Sequence, residues 1–154
     1  MPELTDPRST EQALQRLLCL DEAWPLSVAM LALDDGPAVE AEGAAEARQR
    51  EFGRHLQACI RREDACGRLN EQHHYLLILP NAGPGQARAV LERLLTRMRY
   101  ALTQQAGTEL GGSCSAGLVQ ASWGESAETV LKRVARALEQ AQAAGGDQLV
   151  ADEA

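Results

Sequence analysis

The tip Asn70-Glu71-Gln72-His73-His74, closed by the apolar run Tyr75 to Leu79 and Pro80, offers the first chemistry in this chain. Adjacent imidazoles could ligate a transition metal, with His55 as a third ligand, or serve as a general base. They could equally be the remnant of an older site. Arg61-Arg-Glu-Asp64 sets a guanidinium three residues from a carboxylate where a helix ends. Its plainer reading is a cation closing a helix C-terminus. Cys59 and Cys66 are candidate redox thiols with no neighbour that specifically lowers a thiol pKa. Gly83-Pro-Gly85 before a helix fits an anion nest or a plain connecting loop. No Ser–His–Asp or Cys–His set can be assigned.

The elements that must position these groups alternate. Leu14, Leu17 and Leu18 fall at helical spacing after Ser9 or Thr10, and Trp24-Pro25 ends that helix. Leu26 to Leu33 is a near-continuous apolar run, as in a central strand, followed by the turn Asp34-Asp-Gly-Pro37. Glu46 to Arg61 reads as a helix with Phe52, Leu56, Cys59 and Ile60 on one face. Ala65 to Leu69 and Tyr75 to Leu79 read as a β-hairpin around the polar tip. Pro84 opens a helix that reaches Leu102. Gly111 to Ala121 reads as a strand. Ser126 opens a last helix, Gly145-Gly146 ends it, and Gln148 to Ala151 is a final strand. The order α-β-α-β-β-α-β-α-β predicts an α+β domain over residues 1–154, a mixed sheet flanked by helices with a hairpin at 65–79. There is no linker and no internal repeat.

Composition narrows the function class. With 154 residues, 45% hydrophobic and 24% charged, the chain is long enough for one real core and is globular, not disordered. Aromatics are only 3%, so Ala, Leu and Val must fill that core. Lys132 is the sole lysine, and the abundance of arginine and alanine reads as the codon bias of a GC-rich bacterium. A formal net charge of −7 argues against nucleic-acid binding through a broad basic face. Cys19, Cys59, Cys66 and Cys114 are scattered without a CxxC pair, no run near 18 residues is apolar enough to span a membrane, and the expectation is a chain without a signal peptide. Four free thiols and a cytoplasmic location, with no membrane insertion, are the expectation.

The segments FGRHLQACIRREDACGRL (52–69), SAGLV (115–119), LKRVARALEQAQAAGGDQLV (131–150) and LTDP (4–7), with the hairpin between them, resemble in order the segments of a GGDEF domain, the diguanylate cyclase family. The last of the long segments is similar to the family's closing helix and strand, roughly LLKRADRALYRAKAAGRNRVV, and SAGLV is similar to its SIGVA strand. The resemblance implies the family's α+β fold. It also implies a chemistry in which two GTP molecules are joined into cyclic di-GMP with a divalent metal held by carboxylates.

Counting back from Pro80, the signature pentapeptide falls on Glu71, Gln72, His73, His74 and Tyr75. Glu71 and Gln72 thus stand where glycines let backbone approach phosphate, and His73 and His74 where acids stand. The first metal aspartate aligns with Ala32, and Asp34 matches the second acid of the family's DxD. The phosphate-binding lysine aligns with Gln142, the arginine of GRN with Gly146, and the lysine after DxD with Pro37. The base-binding residues fall near Glu40 and Glu46. The resemblance therefore implies a degenerate domain without catalytic residues, metal or cofactor.

One element does match. The family's inhibitory product-binding RxxD coincides with Arg61 and Asp64, and the arginine that joins it from the next helix falls at Arg93. One extra residue lies between Asp64 and Tyr75. The expectation is a regulatory domain of bacterial cyclic di-GMP signalling that acts through a protein partner, with cyclic di-GMP as candidate ligand and a homodimer left open. The former catalytic face, including the tip 70–74, is the expected partner surface. The alternatives are a dedicated cyclic di-GMP receptor and an enzyme with altered nucleotide chemistry at His73 or His74.

Overall fold

The computed structural model describes residues 7–34, 44–69, 74–105 and 113–152. Helix α1 spans Pro7–Leu18, strand β1 Leu26–Leu33 and helix α2 Ala44–Cys59. The hairpin strands are β2 Ala65–Arg68 and β3 Tyr75–Pro80. Helix α3 (Pro84–Gln105), β4 (Cys114–Gln120), α4 (Ala127–Ala143) and β5 (Leu149–Asp152) follow. The strands form one sheet in the order β2-β3-β1-β4-β5. All pairs are antiparallel except β4 with β5, so the sheet is mixed as expected.

β1 sits in the middle of the sheet, which is why its sequence is apolar without alternation. Its two faces feed two cores. Ala29 and Leu31 point to the side where Phe52, Leu56, Leu91 and Met98 of α2 and α3 pack. Val28 and Met30 point to the side where Leu14 of α1 and Val130, Val134 and Leu138 of α4 pack. The alternation along β3 obeys the same rule, with Leu77 and Leu79 on the first side and Leu76 and Ile78 on the second.

Helix boundaries follow local chemistry. Ser126 caps α4, its hydroxyl accepting from Thr129 N at 3.2 Å. At the other end Gly145 N donates to Gln142 O and Gly146 N to Ala141 O. These are the paired bonds of a Schellman motif, and Gly145 has the positive φ that the motif needs at that position. α3 runs three residues past the expected Leu102, because Thr103-Gln-Gln carries no stop signal. Of the strand expected over 111–121, positions 111 and 112 lie outside the described residues, and β4 ends at Gln120, one residue before the expected Ala121.

Candidate functional site

Arg61 and Asp64 lie in the turn between α2 and β2, and the structure does bring them together. Asp64 is buried, and Arg61 encloses its carboxylate. The Arg61 amide donates to Oδ2 at 2.7 Å, Nε to Oδ1 at 3.0 Å and Nη2 to Oδ1 at 2.7 Å. Nη2 also donates to the carbonyl of Pro80 at 2.9 Å, and Nη1 stands 3.3 Å from Glu63. The Asp64 hydrogen bond raises the Arg61 pKa above its ordinary value, against the opposing pull of burial. The motif therefore ties the exit of α2 to the end of β3.

Arg93 is exposed on α3 and makes no ion pair with Asp64. One turn further along the helix, Arg97 Nε donates to His55 Nδ1 at 3.2 Å, and His55 Nε2 lies 3.2 Å from Glu51. His55 is thus engaged across the α2–α3 seam.

Of the signature positions, Glu71, Gln72 and His73 lie outside the described residues, as do Asp35, Pro37 and Glu40. His74 is half-buried at the base of the hairpin, where its carbonyl accepts from Leu69 N at 2.8 Å. Tyr75 is a core residue, 3% exposed, its ring tilted against Phe52 with centroids 4.8 Å apart. Burial raises its phenol pKa.

At the exit of β1, Ala32 is 4% exposed and pairs with Ser115. Asp34 turns its carboxylate back into the protein. Ser113 Oγ donates to Oδ2 and Ser115 Oγ to Oδ1, each at 2.6 Å, and the Asp147 amide donates to Oδ2 at 2.8 Å. Gly146 packs so closely over this carboxylate that a Cβ there would lie 2.9 Å from its atoms. Asp147 in turn accepts from Arg99 Nε at 2.9 and 3.0 Å, which raises the Arg99 pKa. One carboxylate thus joins β1, β4 and the turn between α4 and β5. Sequence reasoning missed this knot. Its only local signal is the Ser-Cys-Ser alternation at 113–115, which sends both hydroxyls to one side of the strand. Asp34→Ala is expected to lower stability by about 2 kcal/mol, since three buried or half-buried donors lose a charged acceptor. A chemical denaturation curve with unchanged m-value checks this.

The thiols offer no nucleophile in the core. Burial pushes Cys66 up to about 12, and Cys114 is raised well above its ordinary value for the same reason. A cleft of about 630 Å³ is lined by Ser27, Arg88, Gln120 and Asp152 among others. Strand register places it at the Pro80 end of the sheet, opposite the end where Arg68 pairs with Tyr75.

The sequence model described as "Diguanylate cyclase, GGDEF domain" matches residues 43–148. Among solved structures, the diguanylate cyclase SiaD of Pseudomonas aeruginosa, in complex with its activator SiaC, is similar at 26% identity and a TM-score of 0.86. The match covers 97% of this chain and 59% of the SiaD chain, so this chain spans less than two thirds of that relative. The coiled coil and GGDEF domain of DgcB from Caulobacter crescentus, in complex with c-di-GMP, is similar at 16% identity and a TM-score of 0.85. That match covers 97% of this chain and 82% of the other. The active GGEEF domain of a diguanylate cyclase from Vibrio cholerae is similar at 15% identity and a TM-score of 0.81, covering 99% of each chain. No curated protein matches the chain in sequence.

Proposed function

This chain belongs to the diguanylate cyclase GGDEF family, and we propose that within it the domain is catalytically inactive and regulates cyclic di-GMP signalling by binding another protein. The observation that carries this reading is the fate of Asp34. The family's reaction needs a hard divalent cation held by carboxylates. At the exit of β1 one matching position is the buried methyl group of Ala32, and the acid that remains is bonded to Ser113, Ser115 and Asp147. These residues do not suit such a cation. Gln142, where the family places a phosphate-binding lysine, is exposed and uncharged. Loss of charge stabilisation at a phosphoryl-transfer centre removes what is usually the largest catalytic contribution.

The SiaD structure, solved with its activator protein, supports a protein partner as the working mode of this domain. The DgcB structures in complex with c-di-GMP support that dinucleotide as candidate effector. A cytoplasmic place suits this role, and among the described residues no helix is long and apolar enough to cross a membrane. Calorimetry and product chromatography with GTP and Mg²⁺ test the proposal. No turnover is expected, and accumulation of cyclic di-GMP would sink it. The receptor reading rests on Arg61, Asp64 and Arg93. Cyclic di-GMP binding that weakens at least about tenfold in Arg93→Ala would favour it.

A further inference from the structure

On the α1–α4 side of the sheet, an open groove of about 350 Å³ runs between the two helices and the base of the hairpin. Its floor is apolar, built from Met30 of β1, Leu69 after β2, and Leu131 and Ala135 of α4. Its rim carries Glu11 from α1 and Glu128 and Glu139 from α4, with Lys132 as the one lysine or arginine among its lining residues. Lys132 is already held by Glu128 at 3.2 Å. Glu11 and Glu139 are exposed and make no ion pair among the described residues. On α4 the lining positions 128, 131, 132, 135 and 139 share one face, a stripe about three turns long.

From this groove we infer the chemistry of the partner: a segment of another protein with apolar side chains set between lysines or arginines, laid along α4 against α1. The inference rests on the protein-binding reading above and specifies its surface. The apolar floor supplies the burial, and the acidic rim selects the flanking charge and the approach. The same rim repels nucleic acid and anionic membrane surfaces. A second copy is disfavoured as well, because the chain carries a formal net charge of −7. The groove borders His74, so a partner seated there lies beside the hairpin where the family's signature stands.

The test uses the full chain and two fluorescent amphipathic peptides of about four helical turns. Both carry the same Leu/Ile seam, flanked by Lys and Arg in one and by Glu in the other. Fluorescence polarisation is expected to show the basic peptide binding at least about tenfold tighter, with the difference shrinking as salt rises. Glu11→Lys/Glu139→Lys, two exposed changes that leave the fold alone, is expected to reverse the preference. Ala135→Arg, which fills the floor, is expected to abolish binding. Equal affinity for the two peptides, binding of neither, or an unchanged preference in the double charge reversal would each overturn the inference. So would a dimer in sedimentation velocity that Ala135→Arg dissolves, since the occupant would then be a second copy. The two readings fail separately: GTP turnover sinks inactivity without touching the groove, and lost peptide preference without turnover sinks the groove alone.

Discussion

Replacing Gly117 by alanine is expected to destabilise this protein strongly. Gly117 lies in the middle of β4, paired with Met30 on one side and Val150 on the other. A Cβ on it would stand 2.4 Å from Leu138 N, 2.6 Å from Val134 O and 2.9 Å from Ala137 C. All three are backbone atoms of α4, so no side chain can turn aside to make room. The whole helix must lift from the sheet, and with it Val130, Val134 and Leu138. Overpacking a core costs about 1–3 kcal/mol when side chains adjust. Moving backbone puts this case at or above the upper end, about 3 kcal/mol or more, a large share of the 5–15 kcal/mol that typically holds a domain together. At about 2–4 °C per kcal/mol, the melting temperature should fall by roughly 6 °C or more. Gly85→Ala is the matched control. It lies in the first turn of α3 with nothing within 4 Å of the added methyl, and it should hold or slightly raise the melting temperature. A Gly117→Ala protein that melts with the wild type would mean that α4 is not seated on β4 as described.

That close approach shows where the sequence stops being informative. SAGLV identifies a strand, but nothing in five letters says that a helix backbone lies over its glycine. Elements declared by local pattern were readable: the unbroken apolar run of β1, the stripe of α4 with its serine cap and double-glycine stop, and the hairpin. The Arg61–Asp64 pair was readable as well, because residues three apart at a helix exit meet through local geometry. The Asp34 knot was not. Its partners Ser113, Ser115 and Asp147 lie 79, 81 and 113 positions away. Only the folded sheet brings the exit of β1, the start of β4 and the last turn together. The resemblance marked Ala32 and Asp34 as a depleted metal site. The fold adds what the surviving acid does there, which is to bind the protein's own hydroxyls and amide. The groove between α1 and α4 was invisible for the same reason, since each helix shows its own stripe and neither shows the gap between them.

The RxxD motif yields the second large expectation, and it is asymmetric. In Asp64→Ala the buried charge disappears, and Arg61, whose side chain is 36% exposed, turns its fork to water. The expected loss is about 2 kcal/mol, moderated because solvent already reaches the guanidinium. In Arg61→Ala the charge that stays behind is the carboxylate, with 0% side-chain exposure and the residue-61 amide left as a donor. An uncompensated buried charge is costlier, and the Pro80 carbonyl loses its partner too, so about 3 kcal/mol is expected. The double variant should recover part of that loss, with a coupling of about 1–3 kcal/mol. Urea denaturation of the four proteins reads the cycle directly. A guanidinium held free for a ligand would behave otherwise: its removal would leave stability unchanged, and that outcome would count against the brace. The brace also decides how ligand binding has to be probed. If Arg61→Ala loosens the α2 exit, then weaker cyclic di-GMP binding in that variant reports on folding as much as on contact. Arg93 is exposed and outside the brace, so Arg93→Ala is the variant whose loss of binding identifies a dinucleotide site.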